Sequence, residues 1–476
     1  MRPSQARQAL QGGVPQETAL DLPSQNQQVP QEGWQQAGWG QDAQSPWPGR
    51  EEHGSWGQEQ QSPASSGAWA VEPVEEAPPK KRRRTGLIAL VAALVLVGGV
   101  VAGQLVRPVP EPSVELVVKS SHTFQGSAPR LPWPTQGQSA VYVEGLGSMG
   151  ASGAKAPTPT ASVAKVMTAY VFLRDHPLGA GQAGPTYTVS QQSAVEMPGR
   201  KRRGESILGI VPNQRLTERK ALEALMVISA NDVAVELARW DSGNVPAFVR
   251  KMNEAARALG MTSTRYTDPS GYDRGTVSTA ADQVKLLRAA MAVPAFAETV
   301  NKAAYEPDNG APATRGGNTL LGQLGVIGGK TGYTDAAGGN FVFAAKKRVG
   351  GVETTILGAV MGQRSPNAQG AIEAARTLVA GAGRSLVSTV LAPAGSTVAE
   401  VDDGLGGKTP LTASTPVTVV GWPGLTVPVS VTGEPPRVAA SGERIGNVKT
   451  GAGSVPLVAG GQLSEPSLVK RLTRVS

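Results

Sequence analysis

Residues 157–170 of the chain read Pro-Thr-Pro-Thr-Ala-Ser-Val-Ala-Lys-Val-Met-Thr-Ala-Tyr. Apolar residues recur at helical spacing after the serine, and the proline and threonine before it are typical of a helix start. Ser162 and Lys165 are three residues apart and therefore share one face of this predicted helix. A lysine amine can thus lie beside a hydroxyl at a helix N-terminus, where free N–H groups favour developing negative charge. These are the parts that an acyl-transfer nucleophile needs.

The overall composition excludes several kinds of catalytic site. The chain has 476 residues, enough for two or three domains, and contains no cysteine, which excludes catalytic thiols, disulfides and cysteine-ligated metals. Its three histidines, His53, His122 and His176, are scattered and match no zinc-binding spacing. We therefore expect neither a metal nor another cofactor. The net charge of +8 suits an acidic substrate or surface, but it does not indicate nucleic acid, and we expect none as a partner.

Residues 1–79 differ in composition from the rest of the chain. They are acidic, rich in Gln, Pro, Gly, Ser and Glu, and almost free of aliphatic periodicity. Such a segment cannot bury enough apolar surface to offset the entropy lost on ordering, so we predict a disordered tail. Its length and composition also lead to the hypothesis that the tail binds a cytoplasmic partner.

A membrane anchor is predicted next. Residues 80–84 are all Lys or Arg, and Thr85 to Val106 follow without a charge, which is long enough to span a bilayer as a helix. We interpret 80–107 as a basic flank and a transmembrane helix. The positive-inside rule then puts the tail in the cytoplasm and the later residues on the far side of a cell membrane that is crossed once. The long leader favours an uncleaved anchor over a signal peptide.

The sequence after residue 107 predicts two domains, 108–388 and 389–476. The first begins with a Pro- and Ser-punctuated spacer that ends near residue 135. Its further predicted elements are a strand at Ala140–Glu144, helices that begin at Ser162, at Thr217 and after an N-cap at Asn231 or Asp232, a basic loop at 200–204, helices at 246–258 and 279–292, strands at Gly325–Lys330, Asn340–Ala345 and Glu353–Met361, and a helix at 367–380. This order favours an α+β layer architecture. In the second domain, alternating residues between Gly and Pro turns predict a small all-β fold.

Three short motifs in the first domain carry the chemistry. They are Ser162-x-x-Lys165, Ser229-x-Asn231 and Lys330-Thr-Gly. Each motif alone is weak, because the chain contains another copy of each. Those copies lie in the N-terminal tail, directly before a proline, or in the C-terminal part of the chain. Only the motifs at 162, 229 and 330 follow one another in this order along the chain and also lie at a predicted helix start, a helix–helix turn and a strand.

With this set, the chain resembles the penicillin-recognising serine acyl-enzymes. It is most similar to the low-molecular-weight penicillin-binding proteins, the serine-type D-Ala-D-Ala carboxypeptidases of peptidase family S11. Asp268-Pro-Ser-Gly and Gly329-Lys-Thr-Gly-Tyr-Thr add to a resemblance that covers roughly residues 112–388. It implies a β-lactamase/transpeptidase-like fold, in which an antiparallel sheet is flanked by helices and joined to a helical lobe. The C-terminal β domain resembles the accessory domain that many members carry.

The resemblance also implies a role for each catalytic residue. Ser162 is the nucleophile, and Lys165 is its base if the amine is neutral. Burial beside a second cation, Lys330, would lower the pKa of Lys165 and favour that neutral form. Ser229 would relay the proton to the leaving D-alanine.

The residues expected to bind substrate are Asn231, Lys330, Thr331, Gly332, Tyr333 and Arg364. The asparagine would hold a substrate amide carbonyl, and the strand from Lys330 would align an extended peptide, with Gly332 allowing close backbone approach. The backbone N–H groups of Ser162 and Tyr333 would form an oxyanion hole. Arg364 is a candidate for binding the terminal carboxylate of the substrate.

The predicted activity is removal of the terminal D-alanine from peptidoglycan stem peptides through a seryl-enzyme, with β-lactams as inhibitors. A D,D-endopeptidase would use the same residues. A β-lactamase of this fold typically needs a Glu-x-x-Leu-Asn loop, which the sequence between Asn231 and Lys330 lacks. A different class of protein, a non-catalytic wall-binding or sensing protein on the same scaffold, would not need the complete motif set.

Overall fold

The computed structural model describes residues 82–474, so the predictions for the tail lie outside the described residues. The helices are α1 (Arg82–Val106), α2 (Lys165–Asp175), α3 (Gln192–Arg202), α4 (Glu218–Met226), α5 (Asn231–Ser242), α6 (Val245–Ala258), α7 (Ala280–Met291), α8 (Pro294–Val300), α9 (Gln369–Ser385) and α10 (Leu468–Thr473), with a 3-10 helix at Ala161–Ala164. The strands before α9 are β1 (Ser113–Leu116), β2 (Ser121–Thr123), β3 (Gln138–Val143), β4 (Gly147–Gly153), β5 (Thr158–Pro159), β6 (Thr186–Thr188), β7 (Arg215–Thr217), β8 (Val277–Ser278), β9 (Ala304–Tyr305), β10 (Thr314–Arg315), β11 (Val326–Thr334), β12 (Gly338–Val349) and β13 (Val352–Gln363). Those after α9 are β14 (Val387–Ala392), β15 (Thr397–Asp402), β16 (Lys408–Ala413), β17 (Val417–Gly421), β18 (Thr426–Pro428), β19 (Ser430–Thr432), β20 (Arg444–Thr450) and β21 (Gly453–Ala459).

Helix α1 has the properties expected of the predicted anchor. Its segment Arg84–Val106 has 23 residues, and an 18-residue window within it has a mean hydropathy of 2.6. A helix of that length and composition can cross a bilayer. Its apolar side chains are exposed, as suits contact with lipid. This agrees with the prediction of a single-pass anchor.

The site is built on a five-stranded antiparallel sheet with the order β11-β12-β13-β3-β4. Successive side chains of β12 point to opposite faces, because a strand has a period of two. Val342 and Ala344 join the core beneath the helices α2 and α4 to α8. Phe341 and Phe343 join a second core against α9. The sheet is therefore covered on both faces, and β11 is its edge strand, with the α+β layering that the sequence predicts.

The C-terminal β domain receives two strands from the predicted spacer. β1 pairs with β15, and β2 pairs with β18. Val114 and Leu116 pack against the core of this domain, and Phe124 is buried in it. The prediction of a plain spacer is therefore wrong for these residues. Proline and serine give the segment the composition of a linker, while its partner strands follow only after the whole of the first domain.

The predicted basic loop at 200–204 is also partly wrong, because α3 continues to Arg202 with Pro198 inside it. A proline inside a helix normally costs stability. Here tertiary ion pairs hold the helix in place. The buried guanidinium of Arg200 contacts Glu196 and Glu205, both at 3.0 Å.

The predicted N-cap at Asn231 or Asp232 is shifted by one or two residues. The structure puts Ala230 at the cap position, without a side-chain hydrogen bond. Asp232 instead accepts hydrogen bonds from the backbone N–H groups of Leu208 and Gly209, at 3.0 and 2.8 Å. The asparagine side chain turns into the site described next.

Candidate active site

The structure brings together the side chains of all three motifs. Ser162 lies on the 3-10 helix rather than on the α-helix that we predicted, and Lys165 is the first residue of α2. Lys165 Nζ is 2.9 Å from Ser162 Oγ and 2.5 Å from Asn231 Oδ1. Ser229, in the turn between α4 and α5, is 3.1 Å from Lys330 Nζ on the edge strand β11. Residues of all three motifs therefore lie close together in the structure.

Lys165 is the centre of this cluster and is fully buried. Its amine has a third partner, the carbonyl oxygen of Ser270, at 2.8 Å. Burial, followed by the positive charge of Lys330, lowers the pKa of Lys165 well below its usual value. A neutral amine beside a serine hydroxyl can accept its proton, which is the arrangement of a general base.

Lys330 is the second buried amine. Burial lowers the pKa of Lys330 to about 7. Besides Ser229 Oγ, its Nζ contacts the carbonyl oxygen of Thr331 at 2.9 Å. Ser229 has a φ of 65°, which is uncommon for a residue with a side chain. Such backbone strain persists only where the surroundings fix it. Here the strained conformation points the Ser229 hydroxyl toward the amine of Lys330.

The segment Asp268–Gly271 supports both the base and the nucleophile. The Asp268 carboxylate accepts hydrogen bonds from Ser270 Oγ and Thr276 Oγ1, each at 2.6 Å. Gly271 has a φ of +76°, and a Cβ atom there would lie 1.8 Å from the carbonyl oxygen of Ala161. Ala161 itself has a φ of 46° and directly precedes the nucleophile. Because Gly271 has no Cβ atom, it leaves room for the carbonyl group of Ala161 in the strained turn before the nucleophile.

Asn340 is a structural support that the sequence analysis treated only as part of a strand. Its Nδ2 donates to the carbonyl oxygens of Pro159 and Thr160, at 3.0 and 2.9 Å. Its Oδ1 accepts from the backbone N–H of Gly362 at 2.7 Å. The residue is fully buried and ties the lead-in of the nucleophile to the sheet. A lone amide in an otherwise apolar strand was the available signal.

The predicted substrate-binding residues lie along or near β11. A Cβ atom at Gly332 would lie 2.9 Å from the backbone nitrogens of Ser162 and Val163, so this position requires close backbone approach. Tyr333 is half-buried, and its hydroxyl donates to Asp335 at 3.0 Å. Arg364 is exposed and lines the same cavity as Tyr333. Within residues 82–474, Arg364 is outside the hydrogen-bonded cluster around Lys165.

Comparison with known proteins gives a single family. A sequence model of the D-alanyl-D-alanine carboxypeptidases, peptidase family S11, matches residues 148–363. D-alanyl-D-alanine carboxypeptidase DacB2 of Mycobacterium tuberculosis is 42% identical over 146 residues, which cover 29% of this chain and 50% of that relative. A D-alanyl-D-alanine endopeptidase of Pseudomonas aeruginosa is 34% identical over 186 residues, which cover 38% of this chain and 57% of that relative.

A solved structure is similar to about half of the chain. The crystal structure of a D-alanyl-D-alanine carboxypeptidase from M. tuberculosis has 32% sequence identity and a TM-score of 0.45, covering 54% of this chain and 96% of that structure. The chain spans about half the length of the curated relatives it matches. All three motifs lie inside the matched range 148–363, and Arg364 lies directly after it.

The contact between Gly271 and Ala161 leads to a stability prediction. We expect Gly271→Ala to lower the free energy of unfolding by more than Gly310→Ala does, measured by denaturant titration of both variants. Gly310 has the same φ of +76°, but a Cβ atom there would meet nothing within 4 Å, so it reports the backbone strain alone. That strain costs about 1–2 kcal/mol for a residue with a side chain. Equal losses in the two variants would contradict the argument that the nucleophile turn needs this glycine.

Proposed function

We propose that the chain is a serine D-alanyl-D-alanine carboxypeptidase of peptidase family S11 that removes the terminal D-alanine from peptidoglycan stem peptides through an acyl-enzyme. The observation that carries this proposal is the buried amine of Lys165, 2.9 Å from Ser162 Oγ. A serine hydroxyl has a high pKa and becomes a nucleophile only with an adjacent base. Burial and the charge of Lys330 lower the pKa of Lys165 and so favour the neutral amine that this role requires.

In the proposed acylation step, Ser162 Oγ attacks the carbonyl carbon of the penultimate residue. Its proton passes to Lys165 Nζ as the new ester bond forms. The peptide bond to the terminal D-alanine breaks, and Ser229 relays the proton that Lys165 accepted to the leaving amine. The Ser229 hydroxyl lies 3.1 Å from Lys330 Nζ. Water then hydrolyses the ester and regenerates the hydroxyl.

The proposed peptide-binding site is the free edge of β11. An extended peptide can add to a sheet edge through main-chain hydrogen bonds. The Asn231 amide would donate to a substrate carbonyl, and the backbone N–H groups of Ser162 and Tyr333 would bind the oxyanion. Thr331 and Gly332 line the same strand. Arg364 remains the candidate for the terminal carboxylate, supported by its place in the cavity beside Tyr333.

The nucleophile can be tested with a fluorescent penicillin. We expect the chain to form a stable labelled band, and Ser162→Ala to lower both labelling and D-alanine release from a pentapeptide by about 10⁴-fold. Ser467→Ala is a matched control, because Ser467-x-x-Lys470 repeats the motif outside the site. Rapid penicillin turnover would instead favour a β-lactamase. An unlabelled chain that leaves penicillin intact would favour a non-catalytic wall-binding protein.

Endopeptidase activity is the second candidate, because the relative from P. aeruginosa bears that name at 34% identity. The proposed residues serve both reactions, so the substrate separates them. A pentapeptide measures the carboxypeptidase activity, and a cross-linked peptide dimer measures the endopeptidase activity. Faster cleavage of the dimer would reassign the main activity.

We also propose that the tail is cytoplasmic and that the catalytic domain is extracytoplasmic, supported by the basic run before α1. The absence of cysteine from the sequence allows a clean test with introduced thiols. A membrane-impermeant maleimide should label Ser414→Cys in intact spheroplasts, since position 414 is exposed. It should label Ser55→Cys only after permeabilisation. The opposite pattern would reverse the orientation.

The same orientation supports a cytoplasmic partner for residues 1–79, which we propose on their length and composition. Pull-down with the isolated tail should retain a specific protein that a scrambled tail of equal composition does not retain. Equal recovery by both would contradict this proposal.

A further inference from the structure

A carboxylate outside the three motifs is bonded directly to the cluster around Lys165. Glu205 follows α3, and its side chain is 1% exposed. Its Oε2 accepts a hydrogen bond from Asn231 Nδ2 at 2.9 Å. We propose that Glu205 is a positioning residue for the acyl transfer, acting through Asn231 on Lys165. The proposal rests on the proposed function and adds a residue that none of the motifs contains.

The orientation of the Asn231 amide follows from its two neighbours. Nδ2 must face the acceptor Glu205, and Oδ1 must face Lys165 Nζ, at 2.5 Å. A flipped amide would put its carbonyl against the carboxylate and its NH2 group against the amine, which loses both hydrogen bonds. The NH2 group has two hydrogens, and Glu205 takes one. The second hydrogen is left for a substrate carbonyl.

Glu205 is held in its charged form. Burial alone would raise its pKa, but hydrogen bonds from Asn231 and Arg203 and the charge of Arg200 hold the pKa of Glu205 below its usual value. Arg200 contacts Oε2 at 3.0 Å, and Arg203 contacts Oε1 through Nε at 2.9 Å. A buried carboxylate with this many donors is rigid, as a residue that orients another must be.

Glu205 is also linked, through Arg203, to the segment that contains Ser270. The Arg203 guanidinium lies over the ring of Tyr272, 5.6 Å from its centroid. Tyr272 is two residues after Ser270, whose carbonyl oxygen is 2.8 Å from Lys165 Nζ. The contacts therefore form a chain from Asn231 through Glu205 and Arg203 to Tyr272. Two of the three oxygen partners of Lys165 Nζ, Asn231 Oδ1 and Ser270 O, are connected through Glu205.

A second buried carboxylate in the same region offers a matched control. Glu236 is 3% exposed and pairs with Arg239. It also accepts hydrogen bonds from Ser190 Oγ and Tyr187 OH, at 2.8 and 3.0 Å. Arg239 in turn contacts Glu196, the partner of Arg200. Glu236 thus belongs to the same ion-pair network but does not contact Asn231 or Lys165.

The charge of Glu205 has a consequence that packing alone would not have. Among the charged groups that face Lys165, Lys330 lowers the pKa of the amine, and Asp268, Glu205 and Asp232 raise it. Replacing Glu205 with a neutral residue therefore lowers the pKa of Lys165 further. Acylation needs the neutral amine, so its rate falls as the pH drops through that pKa. The acid limb of the rate should then move to lower pH.

The test compares penicillin acylation rates of the full chain in detergent over a pH series. We expect Glu205→Gln to lower the plateau rate by about 10- to 100-fold, because small misplacements of catalytic groups cost that much. Its acid limb should move to lower pH. Glu205→Asp keeps the charge but shortens the reach, so its rate should fall while its acid limb keeps the parent position. Glu236→Gln should keep both the plateau rate and the acid limb of the parent.

Several outcomes would overturn the proposal. One is a Glu205→Gln variant whose plateau acylation rate and acid limb are those of the parent. Another is a Glu236→Gln variant whose acid limb moves as far as that of Glu205→Gln. Should Glu205→Gln not fold, Arg203→Ala decides, because Arg203 is exposed and its removal breaks the link between Glu205 and Tyr272. We expect its labelling to slow by about 3- to 10-fold, and an unchanged rate would overturn the proposal.

Failure of the proposed function would be visible separately, as a parent chain that penicillin does not label. The role of Glu205 would then be read without activity, by NMR titration of ¹³C-labelled lysine ε-carbons. Loss of a signal in Lys165→Arg assigns the resonance. A lower pKa of Lys165 in Glu205→Gln than in the parent supports the proposal, and an equal value overturns it.

Discussion

The structure depends on the burial of one amine. An isolated ammonium group is costly to bury, so Lys165 is tolerated only as a largely neutral group with its polar partners in place. Its three partners come from three different parts of the chain: the nucleophile turn, the start of α5, and the segment that contains Ser270. A shift of any one of them would leave the amine with an unsatisfied contact. The requirement to satisfy this group therefore fixes how the nucleophile turn, α5 and the Ser270 segment meet.

The same requirement explains where the backbone is strained. Ala161 and Ser229 both have positive φ values. Ala161 directly precedes Ser162, which contacts Lys165, and Ser229 itself contacts Lys330. Strain of this kind needs surroundings that over-determine it. Asn340 supplies part of that support by tying the carbonyls before Ser162 to the sheet. Stability from the packed sheet and helices is thus used to hold a local geometry that is unfavourable by itself.

Sequence reasoning identified the motif residues but not their supports. Ser162 and Lys165 are three residues apart, and a spacing of that kind fixes relative position once the local structure is known. Four of the five strands of the central sheet, all but β4, were predicted for a similar reason, since a period of two is a local signal. Asn340 acts on residues 180 or more positions away, and β1 and β2 pair across the whole first domain. Glu205 likewise acts through a contact with α5 that no local pattern contains. The role of Arg364 stays a prediction.

The charges around Lys165 shift its pKa in opposite directions, and both shifts are useful to a base that must first accept a proton and then release it. Burial and Lys330 lower the pKa of the amine, which keeps it neutral and ready to accept the Ser162 proton. A pKa lowered too far would make the amine a poor acceptor, because proton transfer follows the basicity of the acceptor. Asp268, Glu205 and Asp232 raise the pKa and so limit the effect of burial. The carboxylates near the amine are therefore part of its chemistry as well as of its packing.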